Sequence, residues 1–327
     1  MRAFRHRLLR AVLVAWLSVT TGFAALHLVP GNPVDVLVER GGRDAATRAA
    51  LMARYGVDQP MAVQYLRFLR GTVRGELGVS LVTGAPVAPV LRAALGRTLL
   101  LAGAGLVGAM LVGGALGAAA AWRPRARLVH GVLTFLTMGY ALPEFLLAIG
   151  VLWLLAFRWR WFPVGGVEDP LVALTGSGWA QGVDRARHLA LPALTLAIGW
   201  AAAFARQQRA AVQGLVHAPA VQVARAKGVA EWGLFARHLL RPTLGTPLRL
   251  VGVLAPTLAG GALVVETVFG WPGMGMLLVR AIQIRDYSTA SAAMVALGCC
   301  VSVIILFTET LELLVDPRLR SAADGVA

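Results

Sequence analysis

Apolar residues are grouped in long stretches along the chain, and polar segments separate these stretches. A helix needs about 20 apolar residues to cross a bilayer, because every backbone N–H and C=O must be paired within the segment. Six stretches meet or approach this length: Ala11 to Val29, Thr98 to Ala121, Leu128 to Phe157, His188 to Phe204, Leu248 to Phe269 and Thr289 to Leu314. The pattern therefore predicts an all-α polytopic membrane protein with six transmembrane helices.

The first stretch admits two interpretations. Arginines precede it at positions 2, 5, 7 and 10, as they would in a secretory signal peptide that is later cleaved. Its length of 19 residues and the lack of a clear A-x-A exit favour a helix that is retained.

Two polar segments have helical patterns of their own. In the segment 30–97, Asp44 is a candidate N-cap for a helix from Ala45 to Arg54. A second helix is predicted after Asp58 and Pro60. Its apolar positions recur at helical spacing before Gly75: Val63, Leu66, Leu69 and Val73. We expect a small helical insertion on the outer face.

The segment 206–246 predicts two short helices broken at Gly228, where a glycine suits the left-handed turn that ends a helix. The first helix has a stripe of small residues: Ala220, Val221, Ala224 and Gly228. The second has an apolar stripe: Trp232, Phe235, Ala236 and Leu239. A flat stripe lets another backbone approach closely, which favours a docking element. A basic hairpin lying on anionic lipid explains the residues equally well.

The predicted organisation is an N-terminal segment with the first span (1–29), an insertion (30–97), a core with five spans (98–314) and a tail (315–327). With the N-terminus inside, inner segments hold 15 Lys and Arg, and the short outer segments hold 6. The long insertion is left out, since long loops do not govern orientation. Both termini are therefore predicted to be cytoplasmic.

Composition agrees with a membrane protein, since 57% of residues are apolar and 14% are charged. The net charge of +15 comes from basic residues beside apolar stretches, so anchoring explains it without a nucleic-acid partner. Lys227, the only lysine, is followed by Gly228, so the chain has no P-loop for ATP. No protease motif and no metal spacing is present, and the two cysteines are adjacent. We therefore expect neither an enzyme nor a bound cofactor or metal.

One motif match has a structural explanation. Residues 103–108 fit the dinucleotide pattern GxGxxG, but they lie inside a predicted membrane helix and no acidic residue follows at the required distance. Close helix packing is the better interpretation, and Gly113 with Gly117 continues the small-residue pattern.

Four acidic residues lie in or beside apolar stretches: Glu144, Glu266, Glu309 and Glu312. A charge inside a bilayer is costly, so each is expected to face protein or water. Glu144 follows Pro143, which frees a backbone carbonyl, and two roles are open for it: lining a translocation path, or a structural hydrogen bond to a neighbouring helix. Pro143, Glu144 and Glu266 are the candidates for such a path. An ion-gradient-driven secondary transporter that uses these glutamates is the alternative function.

Several short motifs occur in the order found in one known family. They are Val29-Pro-Gly-Asn-Pro33, Tyr55-Gly-Val-Asp-Gln-Pro60, Gln64-Tyr65, Gly75-Glu-Leu-Gly-Val-Ser80, Ala224-Arg-Ala-Lys-Gly228 with Arg237-His238, Val265-Glu-Thr-Val-Phe269, Trp271-Pro-Gly-Met-Gly275, Arg285-Asp-Tyr287 and Asp316-Pro-Arg318. Over about residues 8 to 320 the chain resembles the permease subunits of bacterial ATP-binding-cassette importers of the dipeptide, oligopeptide and nickel type.

The resemblance implies a subunit of the bacterial inner membrane that pairs with a second, related permease chain. It also implies an extracytoplasmic substrate-binding protein and two cytoplasmic ATPases, which would bind ATP and Mg²⁺. The inner loop would insert into a groove on an ATPase through its motif residues: Ala220, Ala224, Arg225, Lys227, Gly228 and Glu231. Peptides, nickel complexes, glutathione-like compounds and sugars are all compatible cargoes.

The chain departs from the family pattern at two places. Residues 220–223 are Ala-Val-Gln-Val, where the family usually has an acidic-aromatic pair and Arg-Thr. Glu144 stands where the family usually has a small residue after the proline. The first departure lies in the segment that would contact the ATPase, so the exact contacts there are expected to differ from those of the family. The second departure lies at a position that is expected to influence which cargo crosses.

Overall fold

The computed structural model describes residues 2–28, 58–80 and 82–315, and regular structure in these ranges is helical apart from one isolated antiparallel bridge between Val79 and Pro86. The helices are α1 (Arg2–Leu28), α2 (Met61–Arg74), α3 (Val87–Trp122), α4 (Arg127–Ala141), α5 (Glu144–Leu152), α6 (Pro170–Thr175), α7 (Gly178–Val216), α8 (Pro219–Ala226), α9 (Gly245–Val268), α10 (Met274–Gln283) and α11 (Tyr287–Val315). The predicted all-α class is confirmed.

Four of these helices are long and apolar enough to cross a membrane: α1, α3, α7 and α11. The predicted third span is not one straight helix. Its two halves, Arg127–Ala141 and Glu144–Arg158, are bent by 117° at Leu142 and Pro143. Proline lacks the N–H that would continue the helix and restricts the residue before it to extended backbone, so the chain turns there. Helix α9 coincides with the fifth stretch, and the count of six spans stays a prediction.

Two predicted boundaries differ from the structure. Helix α3 begins at Val87, inside the segment that was predicted to be insertion. Helix α7 continues to Val216, so the polar loop that follows it is shorter than the predicted 206–246. The predicted second helix of the insertion is confirmed as α2, which ends at Gly75 in a left-handed conformation with φ of 74°. The helix predicted for residues 45–54 and the tail from residue 316 lie outside the described residues.

Glycines on α3 allow close contact with α7. A Cβ atom at Gly113 would lie 2.3 Å from the Ala201 carbonyl oxygen, and one at Gly117 would lie 2.2 Å from the Ala205 carbonyl oxygen. These distances are too short for any side chain, so the glycines set the approach of the two helices. The interpretation of this region as a packing surface is confirmed, although Gly103 has open space around it.

The described residues form two compact units, and the divisions fall within α1, within α3, between α9 and α10, and within α11. The first comprises residues 2–5, 99–271 and 304–315, and its core is built on α7 with Leu196, Trp200 and Phe204. The second comprises residues 6–28, 58–80, 82–98 and 272–303. Its core includes Val87, Leu91 and Met274.

Candidate functional site

The loop between α7 and α9 contains the predicted pair of short helical pieces. Helix α8 starts with Pro219, a residue well suited to a first helical position. A return segment follows, composed of Glu231–Gly233, the π-helical turn Leu234–Leu240 and Arg241–Thr243. We refer to residues 219–243 as the knob.

Helix α8 ends in the turn that Gly228 predicted. Gly228 has φ of 73°, its N–H donates to the Arg225 carbonyl at 3.0 Å, and the Val229 N–H donates to the Ala224 carbonyl at 3.2 Å. This pair of bonds is a Schellman motif, in which a left-handed residue satisfies the last helical carbonyls. The turn fixes the angle at which the return segment leaves α8.

The small-residue stripe of α8 does not lie open to a partner, which corrects the expectation for two of its members. Val221 and Ala224 are buried within the chain itself. Val221 belongs to a cluster that fixes the knob to the helices behind it, whose other buried members are Ala118, Ala121, Val212, Phe235 and Leu239. Ala220 and Gly228 remain exposed. A helical stripe shows which residues share a face, and here that face packs inward.

The exposed surface of the knob consists of other residues. Val223 is 54% exposed and Trp232 is 74% exposed, while Arg225 and Glu231 form an exposed ion pair at 3.6 Å. Lys227 is exposed as well. Trp232 lies on the predicted apolar stripe, since its ring centroid is 5.5 Å from that of Phe235, but Phe235 and Leu239 are buried and Trp232 is not. The segment from Leu234 is π-helical, and Trp232 lies in the turn that precedes it.

A buried hydrogen bond ties the return segment to α7. The Gln208 Nε2 donates to the Thr243 Oγ1 at 2.8 Å, and both residues are buried. The Gln208 Oε1 is buried and has no hydrogen-bond partner among the described residues. Sequence reasoning missed this pair, because Gln208 was assigned to a polar loop and not to a packed helix.

Two of the three candidate path residues, Pro143 and Glu144, lie at the bend in the third span. Pro143 is exposed, and the half-buried Glu144 is the first residue of α5, where a negative charge is favoured by the helix dipole. Among the described residues, the Glu144 carboxylate has no hydrogen bond or ion pair. The hydrogen bond to a neighbouring helix, which was the alternative role for Glu144, is therefore not found in this part of the chain.

Glu266 has a different environment. It is fully buried near the end of α9, and its backbone carbonyl accepts the Trp271 N–H at 2.8 Å. The expectation that it faces protein and not lipid is confirmed. Solvent does not reach its side chain in this structure, and its place on the path stays a prediction.

Two motifs that are far apart in the chain meet at Asp286. Its Oδ2 accepts hydrogen bonds from the Ser80 Oγ at 2.5 Å and from the Thr289 Oγ1 at 2.7 Å. All three residues are buried. Ser80 also accepts from the Thr83 N–H at 3.0 Å, which organises the turn after α2. We call Ser80, Asp286 and Thr289 the Asp286 joint.

The bent third span, the long apolar helices and the knob define a polytopic membrane protein with a structured polar element between two of its helices. Residues 113–321 match the family described as the binding-protein-dependent transport system inner membrane component. The chain belongs to this family. It is a multi-pass component of a transport system in the cytoplasmic membrane, and the family resemblance noted from its motifs is confirmed.

Three relatives extend along nearly the whole chain. A Brucella suis protein, named provisionally as a peptide permease, is 35% identical over 96% of this chain and 98% of its own length. The oligopeptide transport system permease protein AppB of Bacillus subtilis is 32% identical over 91% of this chain and 92% of its own. The dipeptide transport system permease protein DppB of Escherichia coli K12 is 28% identical over 98% of this chain and 99% of its own.

Proposed function

We propose that this chain is the permease subunit of an ATP-driven importer of peptides. The cargo class rests on the names of the relatives, which include oligopeptide and dipeptide permeases. The chain would form half of the translocation pathway, and a second, related permease chain would form the other half. An extracytoplasmic binding protein would deliver the cargo.

The knob is the proposed contact with a cytoplasmic ATPase, and its exposed tryptophan carries this proposal. Trp232 stands on a base fixed by the Schellman turn and by the buried cluster under α8. An exposed tryptophan on a rigid element is typical of the anchors that dominate protein interfaces. Since the chain has no P-loop, the energy would come from the ATPase, and the knob would transmit its movement to α7 and α9.

The bend at Leu142 and Pro143 is the proposed lining of the path. Half-buried Glu144 has no hydrogen bond or ion pair among the described residues, so its carboxylate is available to a passing solute or to the second permease chain. A peptide has a charged amino terminus, which a carboxylate attracts. Both chain termini and the knob would face the cytoplasm in this arrangement.

Replacing Trp232 by alanine tests the coupling role. The complete importer is reconstituted in proteoliposomes with ATP, and an ionophore collapses the proton gradient. We expect W232A to lower both peptide uptake and binding-protein-stimulated ATP hydrolysis at least about tenfold, because it removes an interface anchor. The matched control is W179A, since Trp179 is 83% exposed but lies at the start of α7, away from the knob. This control is expected to retain normal uptake.

Two results would contradict the proposal. Full uptake and full ATPase stimulation in W232A would remove the knob from the coupling mechanism. Uptake that needs the proton gradient and proceeds without ATP would favour the secondary transporter instead.

A further inference from the structure

A cavity of about 750 Å³ lies in the second unit between α1, α2 and α11. Helices α1 and α11 pack closely beside it, since a Cβ at Gly22 would lie 3.5 Å from the Val295 Cγ2. The transport role proposed above assigns no function to this cavity.

One wall of the cavity carries three arginines. Arg67, Arg70 and Arg74 follow one another at helical spacing along α2, so they share one face of that helix. None of them forms a hydrogen bond or an ion pair with another described residue. Among the described residues that line the cavity, Glu76 is the only acidic one. Like charges this close repel one another, so a bound anion would stabilise the arrangement.

The other walls are apolar or carry hydroxyl groups. Phe23, Leu77 and Val295 provide apolar surface, and Ser288 and Ser291 bring hydroxyl groups from the first turns of α11. A free inorganic anion would make no favourable contact with the apolar part of this lining. An anion with an attached hydrocarbon chain matches both parts.

The position of the cavity along the spans indicates where such a molecule would come from. The apolar span of α1 ends at Ala24, and that of α11 begins at Tyr287. Phe23 and Ser288 therefore place the cavity where two spans leave the hydrocarbon layer, at the depth of lipid headgroups. Arginines near this depth attract anionic lipids.

We infer that the cavity binds an anionic phospholipid, with Arg67, Arg70 and Arg74 around the phosphate and an acyl chain against the apolar wall. The bound lipid would hold α2 against the ends of α1 and α11. This inference does not depend on the cargo of the transporter or on the role of the knob.

The test measures lipid binding to the purified full-length protein by native mass spectrometry. The probes are phosphatidylglycerol and phosphatidylcholine with identical acyl chains. The variant R67Q/R70Q/R74Q removes the three charges of the cavity. The control R123Q/R125Q/R127Q removes three exposed charges between the end of α3 and the first residue of α4. It therefore changes the net charge by the same amount as the cavity variant.

We expect the unchanged protein and the control variant to prefer phosphatidylglycerol. The cavity variant is expected to bind it roughly 100-fold more weakly, at about fivefold for each arginine, and to bind phosphatidylcholine as before. A second variant, V63W, keeps the arginines and fills part of the cavity. V63W is also expected to lose the preference for phosphatidylglycerol over phosphatidylcholine, while its circular dichroism spectrum shows normal helix content.

Several results would overturn the inference. Equal losses of phosphatidylglycerol binding in the cavity variant and in the control variant would mean that net charge alone attracts the lipid. Displacement of phosphatidylglycerol by millimolar inorganic phosphate would indicate a site for free oxyanions. If the cavity variant bound lipid as before but associated more weakly with the substrate-binding protein, the three arginines would be a protein-docking surface.

Discussion

The knob and the Asp286 joint are both non-spanning structures tied to the ends of long helices, yet they are held in different ways. The knob rests on a cluster of apolar residues, and one buried side-chain hydrogen bond, from Gln208 to Thr243, fixes its end. The joint depends on a buried carboxylate that accepts hydrogen bonds from two hydroxyl groups.

This difference suits different tasks. Apolar contacts are non-directional, so the knob can be held firmly on one side and still present exposed residues such as Trp232 on the other. Hydrogen bonds to a buried carboxylate are directional and leave little freedom, so the joint fixes one arrangement of the turn after α2 against the start of α11. Three substitutions test whether the two structures differ in this way.

The largest effect is expected from D286A. It removes the acceptor of two buried hydroxyl groups, which would lower the free energy of unfolding by about 3 kcal/mol. Thermal unfolding in detergent can be followed with a dye that reacts with Cys299 and Cys300 as α11 unfolds. The matched control is D169A, which removes an exposed N-cap of α6 and should cost only about 1 kcal/mol. If D286A and D169A lower the free energy of unfolding by the same amount, the Asp286 joint contributes no more stability than an exposed N-cap.

A smaller effect is expected from T243V in the knob. The change keeps the shape of the side chain but leaves the buried Gln208 amide without its acceptor, which should cost about 1 to 2 kcal/mol in the same unfolding assay. T137V is the control, since the exposed Thr137 hydroxyl bonds only within its own helix. That control should change the stability by less than about 0.5 kcal/mol. A cost in T243V no larger than this would mean that apolar packing alone holds the knob.

The smallest effect is expected at Gly228. G228A should cost about 1 kcal/mol, because an L side chain disfavours the left-handed conformation even though space is available. G228N should cost less, since asparagine tolerates this conformation. G214A is the opposite control: Gly214 is exposed inside α7, where alanine should stabilise the helix by up to about 1 kcal/mol. A stabilising G228A would show that the Schellman turn is not maintained in solution.

Local patterns in the sequence predicted much of this structure. The spacing from Val63 to Val73 predicted α2, and Gly228 predicted a left-handed turn, because each depends on residues that are close in the chain. The bend at Pro143 was not predicted, because the apolar pattern runs through this proline and indicated one span. The glycines of α3 indicated helix packing without indicating that α7 is the partner.

The residues that matter most in the candidate sites were less predictable. Ser80 and Asp286 are 206 positions apart, so no local pattern connects them. The stripe of Val221 and Ala224 was correctly seen as one face of a helix, but its burial depends on residues from α3 and α7. The apolar stripe of the return segment contains Trp232, whose ring contacts Phe235, but the stripe did not show that Trp232 stays exposed, because exposure depends on which surfaces pack against it.

The sequence by itself determined which segments are apolar enough for a bilayer, where helices begin and end at proline and glycine, and that the chain lacks a P-loop. These properties follow from hydrophobicity and backbone geometry, which act over a few neighbouring residues. Only the tertiary structure decided that Val221 and Ala224 of α8 face inward, that Trp232 remains exposed and that Asp286 joins two distant motifs. Such outcomes depend on which surfaces meet when the chain folds, and that is settled by packing and hydrogen bonding between residues far apart in the sequence.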